Sequence, residues 1–425
     1  MTIDAGWVKL LKTNVPRAFT SAPASFPDIV FIDGQIKLMK GDHVTTWQAF
    51  LHSQFVNTIE HAFALGASVV VMGFDDYTYV PRSKNMTQSK RNRSVPEVSF
   101  GLADDLPAHP PEEWMAAMRN RTFKVKVIQF VVNCLKQHYR LEQRRSVVLD
   151  FHGVPEVVCG SYQLPALFEQ HSEATPLRRG ECDIKGPDWL PHKGTLLLVS
   201  TDGDFIPIAL IQLEKHLRTS GQKANILIHR MKTRTAVAAK RSASGSTKRE
   251  YEFVDTALLL AWLATEFPGR PSPASCFAAL VAMTGCDFCM NLPALGPSKL
   301  WAARHKLRAN ALGTSTELMT ALVVVYQQLV QKNARGVGPE TIRAIADTQS
   351  ATQVYALLHA SATKSLTLSQ RTKSSLWQPE RMLAHVCNVM WTLAYWTRLH
   401  AAPDPLSGNF GYITVKNTVR FEAAV

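Results

Sequence analysis

Acidic residues are scarce in this chain. Its 34 Asp and Glu stand against 47 Lys and Arg, and two long stretches, 77–96 and 215–249, hold no acid at all. The formal charge of +13 and pI near 9.4 point to a polyanionic partner. Long hydrophobic runs are also missing. The longest, such as Ala257–Ala264, are far too short for a bilayer, so no membrane association is expected. Cysteine is sparse and odd in number, seven, and no secretory segment opens the sequence, which implies a reducing, intracellular compartment. That compartment would be the nucleus in a eukaryote or a virus replicating there, and otherwise the cytoplasm. Cys286 and Cys289 form a Cys-x-x-Cys with no second pair at zinc spacing and read as core thiols. No internal repeat is present. No Ser-His-Asp or Cys-His nucleophile set stands out either, because His43, His61, His152, His171 and His192 are scattered and read as structural. With 46% hydrophobic and 19% charged residues, the chain is globular and long enough for more than one structural unit.

What is present is a pattern of acids at the ends of apolar runs. Thr195–Val199 is continuously apolar, as expected of a strand buried on both faces of a parallel sheet. It runs into Ser200-Thr201-Asp202-Gly203-Asp204, and an apolar, helical segment resumes at Phe205–Leu210. In open α/β sheets ligands bind beyond the carboxyl ends of the strands, where an Asp-x-Asp pair reads as a cation site. The plainer alternative is a helix N-cap, which would account for Asp204 and leave Asp202 unexplained. Upstream, the strand Asp28–Ile32 ends at Asp33. A long helix over Val44–Leu65 follows, closed by Gly66, and then the strand Ala67–Phe74, which ends at Asp75-Asp76. This β-α-β order implies a right-handed crossover and parallel strands. Further helices are predicted over Gly6–Leu11, Thr122–Arg145, Phe253–Thr265 and Ser275–Thr284, with a strand at Ser146–Phe151. Beyond residue 310, helices are predicted over Glu317–Lys332, Pro339–Asp347 and Gln378–Leu399, the last with Trp391, Tyr395 and Trp396 as a packing face.

Glu181 and Asp183, two residues apart, could address one ion only from a loop, a strand or the first turn of a helix. With Asp287 after the Ser275–Thr284 helix, the set becomes Asp33, Asp75, Glu181, Asp183, Asp202, Asp204 and Asp287. Without cations such a set would repel, with raised pKa values and a weakened fold. Two Mg²⁺ ions would neutralise much of it through oxygen ligands. Such a pair clamps the attacking water and the leaving oxygen of a phosphodiester.

In this order the elements resemble the flap endonuclease family of structure-specific 5′-nucleases. Gly6-Trp7-Val8-Lys9-Leu10-Leu11 is similar to its N-terminal helix motif, Val30-Phe31-Ile32-Asp33 to its first acid-bearing strand, and Gly73-Phe74-Asp75 to its Val-Phe-Asp. Glu181-x-Asp183 stands where the family has Glu-x-Glu, and Ser200–Asp204 matches its Thr-x-Asp-x-Asp. Phe277–Leu280 through Thr284–Phe288 resembles its helix ending Leu-Gly-Ser-Asp-Tyr, and Leu295-Gly296-Pro297-Ser298-Lys299 the Gly-Pro-Lys turn of its helix–two-turn–helix.

The resemblance implies an α/β, PIN-like 5′-nuclease domain over residues 1–310 with a mostly parallel central sheet flanked by helices. It also implies an arch- or gateway-like insertion at 77–145, a helix–two-turn–helix at 285–310, and a helical C-terminal region over 311–425. By the same resemblance Asp33, Asp75, Glu181 and Asp183 would serve mostly one Mg²⁺, and Asp202, Asp204 and Asp287 the other, with Mn²⁺ able to substitute. Lys84, Lys90 and Arg91 would act catalytically on the phosphates flanking the scissile bond, with Arg82 and Arg93 binding nucleic acid beside them. Gly296, Ser298 and Lys299 would hold the duplex backbone, around a monovalent cation such as K⁺. Asp183 is one methylene shorter than the family's Glu, and Pro293-Ala294 replaces the first glycine of the hairpin. No sliding-clamp-binding motif is present at the C-terminus, and a monomer is expected. The implied activity is hydrolysis of branched or 5′-ended DNA to 5′-phosphate and 3′-hydroxyl ends. A 5′→3′ exonuclease on RNA or single strands is the first rival, since the Trp391 region and the Arg179–Lys185 pattern also resemble the 5′→3′ exoribonucleases. A non-catalytic nucleic-acid scaffold is the second.

Overall fold

The structure is a computed structural model. It describes residues 5–41, 44–75, 106–151, 155–169, 180–231, 251–286, 296–304, 388–389, 391–397, 412–415 and 418–421. The chain divides into two compact units, one of residues 1–16, 81–88 and 259–425, the other of residues 17–80 and 89–258. Among the described residues no helix is long and apolar enough to cross a membrane.

The second unit is an α/β layer structure around a mixed, mostly parallel sheet of eight strands. These are β1 (Phe19–Thr20), β2 (Ile29–Asp33), β3 (Val69–Gly73), β4 (Ser146–Asp150), β5 (Glu156–Cys159), β6 (Gly194–Val199), β7 (Ala224–Met231) and β8 (Tyr251–Asp255). Their spatial order is β1-β8-β7-β6-β2-β3-β4-β5. The central run β7-β6-β2-β3-β4 is parallel, while β8, β1 and β5 add antiparallel pairings at the two sides. Every residue of β2, β3 and β4 is buried, as continuous Val/Ile/Leu-rich runs require when both faces are covered.

The helices around it are α2 (Gly34–Leu38), α3 (Trp47–Leu51), α4 (Asn57–Ala64), α5 (Trp114–Ala117), α6 (Arg121–Tyr139), α7 (Ala166–Glu169), α8 (Cys182–Lys185) and α9 (Phe205–Ser220), after α1 (Ala5–Asn14) of the first unit. The single helix expected over Val44–Leu65 is broken by a π-helical turn at His52–Val56 between α3 and α4. Its end at Gly66 is as expected, with φ +98 and its N–H on the Phe63 carbonyl. One face of the sheet packs Val30, Ile32, Val70 and Met72 against Phe50, Phe55, Ile59, Val127, Val131 and Leu135. The helix α6, inside the stretch 77–145 read above as gateway-like, therefore buries its apolar side in this core as the crossover from β3 to β4. One sequence expectation needs correction, and one stretch without a predicted element gains a strand. Phe253–Asp255, expected to begin a helix, completes β8, because its antiparallel pairing with His229, Ile228 and Leu227 of β7 outweighs helical patterning. The acid-free stretch 215–249, for which no strand is predicted, contributes β7, whose Ile226, Leu227 and Ile228 are buried.

Most of the described part of the first unit is helical: α1, most of α10 (Thr256–Glu266), α11 (Pro273–Thr284) and α12 (Pro297–Ala303). Trp7 anchors it, donating from Nε1 to Thr284 Oγ at 2.9 Å and meeting the Phe277 and Trp301 rings edge-on. Residues 391–397 are helical, and Trp391 stacks on Tyr395 at 5.2 Å. A two-stranded antiparallel hairpin, β9 (Tyr412–Val415) and β10 (Thr418–Phe421), corrects the purely helical expectation for the C-terminal region. The stretches Glu317–Lys332 and Pro339–Asp347 lie outside the described residues.

Candidate metal centre

Three adjacent parallel strands, β6, β2 and β3, end at one edge of the sheet. Their registers align those ends: Asp33 pairs with Gly73 of β3, and Ile32 with Val199 of β6. Asp33, Asp75 and Ser200–Asp204 are thereby delivered to the carboxyl edge, where a doubly covered parallel sheet leaves its crevice. Two glycines make the close approach possible. A Cβ on Gly34, the residue after Asp33, would lie 2.5 Å from the Phe74 ring and 2.6 Å from the Gly73 carbonyl oxygen. A Cβ on Gly73 would lie 2.2 Å from the Phe31 ring.

Asp33 is buried and engages both of its oxygens. Oδ1 accepts the Gln35 N–H at 3.0 Å and so caps α2, and Oδ2 accepts the Ser200 hydroxyl at 3.0 Å. Ser200 Oγ in turn accepts the Asp202 N–H at 3.1 Å, and Asp202 Oδ1 accepts the Asp204 N–H at 3.1 Å. Asp204 occupies the N-cap position of α9 without a side-chain capping bond. Capping thus applies to Asp33 and not, as the simple alternative had it, to Asp204. Burial first, then the Asp75 carboxylate and, less strongly, Asp202, push the Asp33 carboxyl up to about 7, against the Ser200 and Gln35 hydrogen bonds.

The remaining pair enters from α8. Glu181 stands at its N-cap position in extended conformation, and Asp183 lies in its first turn, one of the placements that two-residue spacing allows. Both are buried. Asp75 Oδ1 accepts the Cys182 N–H at 3.0 Å, and Asp183 Oδ1 accepts the Ile184 N–H at 2.9 Å. Burial and then the Asp33 and Asp75 charges push the Cys182 thiol well up, so it stays protonated at neutral pH and is no nucleophile.

Behind these acids lies a buried ion pair that the sequence reading passed over. Lys185, at the end of α8, is 1% exposed. Its Nζ donates to the Phe74 carbonyl at 2.7 Å and the Phe151 carbonyl at 3.1 Å and lies 3.5 Å from Asp150 Oδ1. Asp150 ends β4 as Asp33 ends β2, and its Oδ2 accepts the Trp189 indole N–H at 3.0 Å. One side chain thus ties α8 to the ends of β3 and β4. Arg230 of β7, with Glu252 at 3.9 Å, is a second buried cation whose charge interacts with Asp202.

The structure brings six of the seven expected acids to one unit, and electrostatic coupling links Asp33 to Asp75 and Asp202. Among the described residues, however, no group of three or more His, Cys, Asp or Glu side chains is drawn close enough to hold a metal ion. The donor chemistry fits a hard divalent cation, since the set consists of carboxylates alone. Asp75 and Asp202 each use Oδ1 in the hydrogen bonds described, and a carboxylate has a second oxygen to offer. Asp287 lies outside the described residues, as do Arg82, Lys84, Lys90, Arg91 and Arg93. Gly296 is the N-cap of α12 with Pro297 at the first helical position, and Ser298 and Lys299 are exposed on that helix.

No protein-family profile matches the chain, and no curated protein matches it in sequence.

Proposed function

We propose that the chain is a PIN-like, divalent-metal-dependent phosphodiesterase of the structure-specific 5′-nuclease kind, acting on branched or 5′-ended DNA. The observation that carries this reading is the placement of Asp33, buried at the end of β2, with Asp75 and Asp202 from the two neighbouring strands close enough to raise its pKa. A fold gains nothing from gathering like charges at a strand edge unless something positive is to arrive there. Asp33, Asp75, Glu181 and Asp183 would hold one Mg²⁺ or Mn²⁺, and Asp202, Asp204 and Asp287 a second. Bound there, the ions supply a water of lowered pKa and stabilisation of the departing 3′-oxygen.

The protein's own part is positional. Ser200 holds Asp33 through Oδ2, the Cys182 N–H holds Asp75, and the Asp204 N–H holds Asp202, so that each carboxylate is oriented by a fixed donor. Lys84, Lys90 and Arg91 would meet the phosphates next to the scissile bond, and Gly296, Ser298 and Lys299 the duplex backbone.

The test is a substrate panel of a 5′-flap DNA, a nicked duplex, single-stranded DNA and 5′-phosphorylated RNA, each with Mg²⁺ or Mn²⁺. Cleavage near the flap junction is expected. Mononucleotides released from RNA would move the assignment to a 5′→3′ exonuclease. Inertness on every substrate would leave a nucleic-acid scaffold.

A further inference from the structure

One rim of the same sheet edge is positively charged and has no part in the acid site. Lys37 on α2 and Lys40 just after it are three residues apart, so both side chains project from one side of that turn. Both are half-buried, and neither makes an ion pair with a carboxylate among the described residues. The carboxylate whose charge reaches Lys37 is that of Asp33. His229 on β7 is within electrostatic reach of them: its ring is influenced by His61, Lys37 and Lys40. The His229 carbonyl accepts the N–H of Ser200, the residue that binds Asp33, at 3.1 Å, which fixes this rim beside the acids.

The rim continues as aromatic surface. The His229 imidazole stacks on Phe253 at 4.6 Å and 19° and lies 5.2 Å from the Tyr251 ring. Pairing of His229 with Phe253, and of Met231 with Tyr251, puts all four on one face of the β7–β8 ribbon. Tyr251 and Met231, at its open end, are 38% and 40% exposed. That end is the carboxyl end of β7, and β7 is parallel to β6 and β2, so Tyr251 and Asp33 belong to the same sheet edge. Three inter-strand spacings separate β2 from β8, about 14 Å, the reach of a few nucleotides.

Two like charges held together in partial burial, with no carboxylate ion-paired to either among the described residues, suit an anion that arrives from outside. An exposed aromatic ring at the far end of the same rim suits a planar group. Phosphates and bases in sequence supply both. Resting on the phosphodiesterase reading for the class of ligand, we propose that this rim binds a single strand of nucleic acid, with Lys37 and Lys40 on its phosphates and Tyr251 under a base. Burial and Lys40 lower the Lys37 ammonium to about 8, and burial with the neighbouring cations lowers His229 to about 4. His229 is therefore a neutral ring at pH 7, supporting Tyr251 rather than adding charge. Backbone contacts of this kind do not select sequence, and base stacking tolerates every base.

The experiment measures binding of fluorescein-labelled oligo(dA) and oligo(rA) of equal length to the full chain by anisotropy, across a salt series, in EDTA and again with Ca²⁺. The variants are Lys37→Met/Lys40→Met, Lys40→Met alone, Tyr251→Ala and Tyr251→Phe. Loss of two single-strand phosphate contacts should make the slope of log K against log salt shallower by about 1.4, and Lys40→Met alone by about 0.7. Tyr251→Ala should weaken binding roughly 5- to 150-fold, and Tyr251→Phe should restore it to about twofold of the native chain. Equal losses on both oligonucleotides place the contacts on phosphate and base. A loss confined to oligo(rA) adds the 2′-hydroxyl to them. An unchanged salt slope in the double variant, or undiminished affinity in Tyr251→Ala, overturns the proposal. The two readings fail separately. Flap cleavage with an unchanged slope removes the rim and keeps the nuclease, whereas a shallower slope in a chain that cleaves nothing does the reverse.

Discussion

Asp33→Asn should make the metal-free protein more stable at neutral to alkaline pH, and it should do so by removing a residue assigned to the active centre. The Asp33 carboxyl titrates at about 7 in the folded chain against an ordinary 3.8. Below about pH 4 both folded and unfolded chains carry the proton, and the group contributes nothing to pH dependence. Between about pH 4 and pH 7 the unfolded chain gives up its proton while the folded chain keeps it, so rising pH favours unfolding. Above about pH 7 the loss is complete. At 1.36 kcal/mol per tenfold in proton affinity it amounts to about 4 kcal/mol. An amide removes this dependence and keeps most of the local bonding. Its Oδ1 can still accept the Gln35 N–H, and its Nδ2 can donate to Ser200 Oγ, a hydroxyl able to reverse its role.

Calorimetry of the full chain in EDTA provides the test. The native chain should lose stability from about pH 4 to pH 7, and Asp33→Asn should be flatter over that range. At about pH 8 the variant should melt roughly 8–16 °C higher, taking the same loss of about 4 kcal/mol and the usual 2–4 °C per kcal/mol for a unit of this size. Adding Mg²⁺ should narrow the gap. A cation at a hundred times its dissociation constant adds about 2.7 kcal/mol to the native chain, and the gain should grow through pH 7 as the Asp33 proton leaves. The variant should gain little. Parallel pH profiles for the two chains in EDTA would refute the buried, proton-holding carboxylate, and equal Mg²⁺ stabilisation of both would remove Asp33 from the metal site.

Asp202→Asn should abolish turnover of a flap substrate while leaving its binding within a few-fold, read by single-turnover cleavage and anisotropy; full activity would exclude Asp202 from the chemistry. Lys185→Met should cost about 3–5 kcal/mol in urea unfolding, because it strands the Asp150 carboxylate with the Phe74 and Phe151 carbonyls in the interior. The double variant Lys185→Met/Asp150→Asn should recover part of that loss, and strict additivity would show that the two do not act as a pair. Gly34→Ala should destabilise by about 2–3 kcal/mol, since the new methyl must displace the Phe74 ring and the Gly73 carbonyl beside the acid cluster. A neutral effect on thermal unfolding would mean that this turn yields easily.

The acid-bearing strands were legible in the sequence because central parallel strands have no polar face to obscure them. Val30-Phe31-Ile32, Val69-Val70-Val71 and Leu196-Leu197-Leu198 are covered on both sides, and a short apolar run ending at an acid marks such a strand. The edge of the same sheet was harder to see. β7 lies inside a stretch without acids in which Lys and Arg are frequent, and β8 runs directly into α10, so its Phe253-Val254 reads as the start of that helix. The π-turn at His52–Val56 leaves the apolar periodicity of Trp47–Phe63 nearly intact and so left no mark. Asp150 could have been found by the rule that found Asp33, as the acid ending an apolar strand. Its partner Lys185 could not, because 35 residues separate the two and only the folded sheet joins them.

The charges around the strand ends also explain how such a centre can fold before any cation reaches it. Six carboxylates at one edge would be ruinous if all were ionised and otherwise unrelieved. Here Asp33 holds a proton to about pH 7, and Asp33, Asp75, Asp183 and Asp202 accept bonds from backbone N–H groups. Behind them Lys185 carries its charge in the interior, fixed by three carbonyls and balanced by Asp150 rather than by the acids in front. That separation matters. A lysine paired directly to Asp33 or Asp75 would stabilise the empty protein and compete with a divalent ion for the same oxygens. Pairing it with a different acid lets it hold α8 against β3 and β4 without occupying the carboxylates of Asp33 and Asp75. Lys185→Arg therefore probes more than volume. A guanidinium reaching past Asp150 toward Asp75 should raise metal-free stability and weaken Mn²⁺ binding together, whereas a lysine that served only as filling would show no such opposition between the two.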